Sequence, residues 1–277
     1  MSAWAGINYF ACHHAEPSNT DASRVLTWPE GNGRLVKLLK KSLSNEQLHS
    51  NCMVKNVSIQ NNKVELTIFN YKLNKSFLVK ANKCVLAVPP FVAAKIIDKN
   101  IPYPFDKVSK LKHAPWMVAA ITLDNIPESR GIELCWDNVC YGQRSLGYIY
   151  NQHQTLKQGS DKMVISLYMT FNDIDDKKSR NTIRNYTEAD WEKIVINELE
   201  QMHHGISALV EEIEIFTWGH GMILPCKDLV KSSALKELGK PIDNKLFFAH
   251  SDLAGYSTFE EAFDLGHKAG IDLSSTL

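Results

Sequence analysis

The sequence predicts a protein of the α+β class, with strands and helices interleaved along the chain. Apolar and polar residues alternate with the two-residue period of strands in several short segments. Other segments repeat apolar residues at helical spacing, most clearly Thr187–His203, where Trp191, Ile194 and Leu199 recur on one side. Turns containing glycine, proline, asparagine or aspartate separate the two kinds of segment. Mixed α and β structure is therefore expected throughout.

The composition is that of a soluble globular protein without a charge bias. Of the 277 residues, 44% are hydrophobic and 22% are charged, which is enough for one large core or two modest ones. Lys plus Arg and Asp plus Glu number 31 each, so no overall field favours nucleic acid or an acidic membrane. No apolar run approaches the roughly 18 residues of a membrane span. With no signal peptide visible, a cytoplasmic location is expected, although a segment preceding Met1 could carry a signal.

The first part of the chain predicts a helix, three strands of which the first two form a hairpin, a buried strand and a second helix. Leucines at helical spacing predict the first helix, and Asn61-Asn62 supplies a hairpin turn. Pro89-Pro90 ends the buried strand. In chain order these segments are Arg34–Leu43, Cys52–Gln60, Lys63–Asn70, Lys75–Lys80, Lys83–Val88 and Phe91–Ile97.

The second part predicts a larger sheet with one long helix. Thr187 is placed to cap the helix Thr187–His203. Gly219–Pro225 is expected to be a loop, Asp228–Leu238 a short helix, and the acidic run Asp173–Asp176 a surface turn. The expected strands are Trp116–Leu123, Ile132–Trp136, Ser145–Asn151, Lys162–Thr170 and Glu211–Trp218.

The last segment is the most informative one. Leu246–Ala249 is a short apolar run that predicts a buried strand, and a polar turn follows it. Ser257 or Thr258 can cap a helix that runs to about Ala269. A strand that leads into a capped helix places free backbone N–H groups and a positive dipole end at the strand's carboxyl edge. Such a helix start can bind an anion or an electron-rich carbonyl, although an ordinary strand–turn–helix explains the pattern equally well.

Several phrases, in order along nearly the whole chain, resemble the C-terminal part of the FAD-dependent amine oxidase family. In the last segment the matching residues are Leu246–Ala249, Asp252, Glu260, Ala262 and Gly266. The family presents the start of this helix to the flavin ring. The phrases that precede it are Thr27–Leu35, Asn51–Val57, Lys83–Pro90 and Phe216–Met222.

The resemblance implies a division of the chain and a set of cofactor contacts. Residues 1–90 and 226–277 would form part of an FAD-binding-type α/β region, and 91–225 a substrate-binding-type domain with a mixed sheet. The implied chemistry is hydride transfer from a carbon beside nitrogen, in a small-molecule amine, to FAD. No catalytic side chain can be nominated. The main chain of Val54 would contact the adenine, and the implied cofactor-binding residues are Val54, Trp218, Ser251, Asp252, Ser257, Thr258, Phe259 and Glu260.

The sequence departs from the family pattern at several positions. His250 and Glu261 replace family glycines, and Leu265 replaces a serine. The strand Trp116–Thr122 has no lysine, whereas the family places one there beside the flavin, and Lys112 lies too early. Whether a completed protein would be an oxidase or a dehydrogenase is therefore open.

The family's pyrophosphate-binding unit is missing from the sequence. No Gly-x-Gly-x-x-Gly occurs, since Gly31-Asn-Gly33 is not continued by a third glycine. The chain also opens on large apolar residues, as the middle of a domain does. We therefore expect part of a larger fold, with much of the FAD affinity missing unless a separate chain supplies that unit. The isolated chain is expected to be inactive and colourless or substoichiometric in FAD.

Two other functions stay open, and a metal site is not expected. The chain could be a non-catalytic remnant of the same fold that binds a partner or a ligand, or an unrelated mixed α/β binding module. The adjacent pairs His13-His14 and His203-His204 cannot chelate easily, because neighbouring side chains diverge on both helices and strands. Six cysteines without a Cys-x-x-Cys pair predict buried free thiols in a reducing compartment.

Overall fold

The structure is a computed structural model that describes residues 2–12, 28–125, 127, 134–151, 162–171, 176–230 and 232–276. Helices are combined with antiparallel and parallel sheets, which confirms the predicted α+β class. The chain forms two compact units. Unit 1 holds Leu35–Lys112 and Ile223–Leu277 together with the N-terminal segment, and unit 2 holds His113–Met222 and a short preceding stretch. The FAD-binding and substrate-binding roles of the two parts stay predictions.

Unit 1 contains the three predicted strands, which form an antiparallel meander. Strands β1 (Cys52–Gln60), β2 (Lys63–Asn70) and β3 (Lys75–Ala81) pair antiparallel in that order. Asn61 and Asn62 connect the first two with φ angles of 50° and 61°, a left-handed conformation that asparagine tolerates and that a tight hairpin requires. The sequence prediction is confirmed here, because the turn chemistry is local.

Unit 1 also contains a small parallel sheet. Strand β4 (Cys84–Leu86) pairs with β10 (Leu246–Phe248), three residues on each side. The predicted strands were longer, but the prediction that Lys83–Val88 and Leu246–Ala249 share one sheet is confirmed. The pairing brings together two segments that lie far apart in sequence and fixes the position of β10 in the unit.

Unit 1 also contains the following α-helices, of which the last two contact strand β10. They are α1 (Ala3–Cys12), α2 (Gly33–Lys40), α3 (Pro90–Ile96), α6 (Lys227–Val230), α7 (Ala234–Gly239) and α8 (Phe259–Ser274). The helix predicted over Asp228–Leu238 is wrong as a single element. Ser232 donates its hydroxyl to the Leu229 carbonyl and accepts the Ala234 N–H, and these local bonds compete with a continuous helix. The core joins Val57, Leu66, Leu86, Ile97, Leu238, Leu246 and Phe248.

Unit 2 is built on a five-stranded sheet in the order β6-β7-β8-β5-β9. Helix α5 (Glu188–Met202) covers one face and begins at a capping box between Thr187 and Asp190, as the sequence predicted. Trp191, Val195 and Leu199 of this helix are buried against the sheet. The strands are β5 (His113–Leu123), β6 (Asp137–Asn138), β7 (Tyr148–Tyr150), β8 (Met163–Thr170) and β9 (Val210–Ile223).

Strand β9 runs through Gly219–Ile223, which the sequence predicted as part of a loop. That prediction is wrong, because Gly221 lies inside the strand, where the neighbouring strand leaves no room for a side chain. A Cβ built there would lie 2.7–2.9 Å from side-chain atoms of Trp116 on β5. Glycine therefore permits a close approach inside the strand and does not mark its end.

Three other predicted elements differ from the observed ones. The predicted turn at Asp173–Asp176 is described only at Asp176, which begins helix α4 (Asp176–Asn185). The predicted strand at Ser145–Asn151 is shortened to β7, since Gly147 has a φ of 88° and lies close against the Asn138 carbonyl. Of the strand predicted at 132–136, residues 134–136 are described, and they are not extended into a strand.

Two further predictions, on the cysteines and on membrane-spanning segments, can be compared with the described residues. Five cysteines, Cys52, Cys84, Cys135, Cys140 and Cys226, form no disulfide; four of them are half-buried and Cys135 is exposed, so these thiols are less buried than predicted. No helix in the described ranges is both long and apolar enough to cross a membrane.

Candidate functional site

The candidate site is the turn that joins β10 to α8 in unit 1. After Phe248 the chain passes through a single 3-10 turn, Ser251–Ala254, to Gly255. Gly255 has a φ of 74°, and a Cβ there would lie 3.1 Å from Leu235 Cδ1. The backbone conformation favours glycine, and a Cβ would also press against the tip of the Leu235 side chain. The turn is therefore held closely against α7 before α8 begins.

His250 folds back on this turn. Its Nδ1 accepts the backbone N–H of Asp252 at 3.1 Å and lies 3.5 Å from the Asp252 carboxylate. Asp252 is only 3% exposed. The imidazole thus bonds to its own turn, and it fixes the backbone amide of the buried Asp252 at the carboxyl end of β10.

Thr258 is the N-cap of α8, and it is one of the two residues that the sequence predicted for this role. Its Oγ1 accepts the backbone N–H of Glu261 at 3.4 Å. The N–H groups of Phe259 and Glu260 have no acceptor within the helix, because the first turn of any helix lacks preceding carbonyls. Glu260 and Glu261 place two carboxylates in this first turn, where they interact favourably with the helix dipole. The helix start therefore favours a neutral carbonyl or hydroxyl over a fully charged anion.

Ser257, the other predicted cap, has a different role. Its Oγ accepts the backbone N–H of Ile223 at 3.0 Å. This bond ties the turn to the end of β9 and uses the hydroxyl as an acceptor, while its own proton can still be donated. Sequence reasoning missed the contact, because no local signal connects two residues so distant in the chain.

The remaining predicted residues are divided between the two units. Ser251 begins the 3-10 turn beside Asp252, and Val54 packs on the same apolar cluster as Leu253 of that turn. Trp218 belongs to unit 2, whereas the turn belongs to unit 1, and its predicted contact with the cofactor stays a prediction. Its ring stacks on Phe216 with centroids 6.2 Å apart. At 48% exposure Trp218 is a surface aromatic rather than a core residue.

Unit 2 adds a surface that sequence reasoning did not single out. Alternate residues of β5 and β8 point away from the buried core of the unit, and we call this surface the open face. None of its side chains is charged. The strict alternation of both strands was the signal that could have identified it. The open face consists of Trp116, Val118, Ala120, Thr122, Val164, Ser166, Tyr168 and Thr170.

Aromatic and polar groups lie side by side on the open face. The rings of Trp116 and Tyr168 pack edge to face with centroids 6.4 Å apart. Burial raises the pKa of Tyr168, while a hydrogen bond with Ser166 lowers it in part. Asn151 donates to Ser166 Oγ at 2.7 Å. The surface can therefore contact an apolar molecule and offer it hydroxyl groups.

Strand β5 contains no lysine, and the described ranges hold no metal-binding cluster. The sequence of β5 contains no lysine, and Lys112 precedes it. Groups of three or more His, Cys, Asp or Glu side chains that could hold a metal do not occur in the described part of the chain. His13 and His14 lie outside that part.

Comparisons with known proteins give a likeness of fold. No family model matches the chain, and no curated protein matches it. A solved structure, cyclohexylamine oxidase from Brevibacterium oxydans IH-35A, matches with a TM-score of 0.59 and 11% identity. The match covers 89% of this chain and 53% of that one, so the chain spans about half the length of this structural relative. At so low an identity the likeness shows a similar fold alone.

Proposed function

We propose that the chain is the substrate-binding and flavin-facing part of a flavin-dependent oxidoreductase of the amine-oxidase type. The reaction would be hydride removal from a carbon beside nitrogen. The observation that carries this proposal is the end of β10, where a parallel strand leads through a turn with a buried carboxylate into a capped helix. The amine-oxidase-like fold supports the same reading.

The residues of the turn fit one end of FAD. The N–H groups of Phe259 and Glu260 would bind a carbonyl of the flavin ring, and Asp252 and Ser251 would bind ribityl hydroxyls. Val54 would contact the adenine through its main chain. The 277 residues contain no glycine-lined turn of the kind that binds the pyrophosphate of FAD. These residues would therefore provide only part of an FAD site. When bound, FAD would supply the hydride acceptor.

The open face of unit 2 would contact the substrate. Its eight side chains are apolar, aromatic or hydroxyl-bearing, which suits an amine with an apolar body better than one with several charges. Trp116 and Tyr168 would orient the molecule by ring contacts and exclude water from it. The pyrophosphate-binding unit would come from further polypeptide that carries a Gly-x-Gly-x-x-Gly turn.

Riboflavin tests the site in this chain, because it contains the ring and the ribityl chain but no pyrophosphate. We expect the protein to quench riboflavin fluorescence saturably. Thr258→Pro removes the threonine cap, and Asp252→Asn removes the charge with the shape kept, so both should weaken the quenching. Asp264→Asn is the control, since Asp264 pairs with Lys268 on the exposed surface of α8.

The pattern of results decides between the functions. Quenching that is equal in all four proteins would mean that the turn does not hold the flavin and that α8 is only a packing element. Absence of saturable quenching by the wild-type chain would favour the second candidate, a non-catalytic domain of the same fold. The lack of a Gly-x-Gly-x-x-Gly turn in the sequence is the observation that favours that candidate.

A further inference from the structure

Strand β3 of unit 1 lies at the edge of its sheet. The strand order is β1-β2-β3, and β3 pairs with β2 alone among the described residues. Every residue of β3 is exposed except Ala81 at its end, which is half-buried. A strand in this position has a row of backbone N–H and C=O groups that face away from its neighbour. The outer edge of β3 can therefore pair with a further strand.

The exposed side chains in the middle of β3 are apolar on both faces of the sheet. Phe77 and Val79 lie two residues apart and point to one face, while Leu78 between them points to the other. Phe77 is 43% exposed, Leu78 55% and Val79 41%. A lipid surface could cover only one of these faces. A strand added at the edge would lie beside both, so the arrangement favours an extended polypeptide over a membrane.

The meander that contains β3 is strongly basic. From Cys52 to Lys83 the sequence has six lysines and one carboxylate, a net charge of +5 in a chain whose overall net charge is zero. That carboxylate belongs to Glu65 and lies 2.6 Å from the Lys80 ammonium, near the end of β3. Lys75, at the start of β3, is exposed, and the meander holds no second carboxylate for it. The charge at this edge therefore favours an acidic partner.

We propose that the outer edge of β3 binds an extended acidic segment of a partner protein as a fourth, antiparallel strand. Antiparallel addition continues the pairing that the meander already has. Main-chain hydrogen bonds would hold the segment, and its side chains would set the specificity. A carboxylate opposite Lys75 and apolar residues opposite Phe77–Val79 would complete the cross-strand pairs. The proposal goes beyond the proposed function, since Val54, the predicted adenine contact, lies on β1 at the opposite edge.

A second copy of the chain fits this edge less well. A two-fold axis that pairs β3 with itself makes the two strands antiparallel. In the register that overlaps residues 75–80 completely, Lys75 of each copy lies opposite Lys80 of the other. Like charges directly opposite each other destabilise a strand pair, and lysine is a common protection of edge strands against self-pairing. The same lysines attract a segment that carries carboxylates.

Binding of a fluorescent peptide, measured by anisotropy, tests the proposal. The probe is Gly-Glu-Val-Ile-Val-Thr-Glu-Gly, whose second glutamate falls opposite Lys75 when its three apolar residues oppose Phe77–Val79 in antiparallel register. We expect saturable binding that weakens as salt is added. Hydrogen exchange should slow at the β3 amides that point away from β2, because these amides would donate to the peptide.

Charge reversal identifies the residue that selects an acidic segment. Lys75→Glu should weaken binding about fivefold, since a favourable cross-strand charge pair becomes a repulsive one. A second probe with lysine in place of both glutamates should bind Lys75→Glu more tightly than the wild type. Lys95→Glu is the matched control and should leave binding unchanged. Lys95 is exposed on α3, and α3 contacts β1 at the opposite edge of the meander.

Three outcomes would overturn the proposal: no saturable binding of the acidic probe, equal weakening by Lys75→Glu and Lys95→Glu, or unchanged hydrogen exchange in β3. Sedimentation with vesicles of phosphatidylcholine and phosphatidylserine provides a further arm. Vesicle binding that depends on Lys75, without binding of the peptide, would identify a lipid surface and would also overturn it. None of these readouts involves flavin, so they fail separately from the riboflavin experiment.

Discussion

Replacing Ser257 by alanine should show whether the candidate site depends on the end of β9. Ser257 Oγ accepts the backbone N–H of Ile223, and Ile223 is 3% exposed. In Ser257→Ala the buried N–H loses its acceptor, and water cannot replace it without opening the turn. We expect the turn before α8 to loosen as a result.

The magnitude follows from the burial of the donor. Leaving a buried polar group unsatisfied costs about 1–3 kcal/mol, a large part of the roughly 5–15 kcal/mol that stabilises a typical domain. Ser274→Ala is the matched control. Ser274 Oγ donates to the Gly270 carbonyl on the exposed side of α8, where water can take its place. That substitution should be neutral or slightly stabilising, because alanine is the better helix former.

Two measurements check this prediction. Urea denaturation should give a lower free energy of unfolding for Ser257→Ala than for Ser274→Ala, and the Ile223 amide should exchange its hydrogen faster in the first variant only. Unchanged protection of the Ile223 amide in Ser257→Ala would refute the reasoning. So would an equal free energy of unfolding for the two variants.

Three further predictions concern single side chains. Hydrogen bonds from Ser207 and from backbone N–H groups of the adjoining loop lower the pKa of Glu200 from 4.5 to about 2. This stabilisation is present above pH 4.5 and is lost as the pH falls towards 2, so the Tm advantage over Glu200→Gln should disappear in that window. An advantage that stays constant down to pH 2 would contradict it. Partial burial raises the pKa of the Cys84 thiol to about 11, so iodoacetamide at pH 8 should alkylate the exposed Cys135 well before the half-buried Cys84, as read by mass spectrometry; equal rates would contradict this. Gly270→Ala should raise the free energy of unfolding by about 0.8–1 kcal/mol in urea denaturation, because alanine favours the exposed helix and meets no neighbour. A loss of stability would show that this face is packed.

Local chemistry made much of the fold predictable from the sequence. The Asn61-Asn62 hairpin and the capped helix after Thr187 depend on residues a few positions apart, and both were predicted correctly. The shared sheet of β4 and β10 was predicted through the family resemblance of the two phrases, and not from pairing rules. Of the candidate site, the sequence could indicate the strand, the turn and the cap at Thr258.

Only the tertiary structure decided the remaining features, because each depends on a contact between distant segments. Gly221 continues a strand since Trp116 lies against it, and Ser257 holds the Ile223 amide instead of capping α8. The open face appeared only once β5 and β8 were paired in register. Helical and strand patterns report the preferences of neighbouring residues, whereas these features follow from packing and from the need to satisfy buried hydrogen-bonding groups.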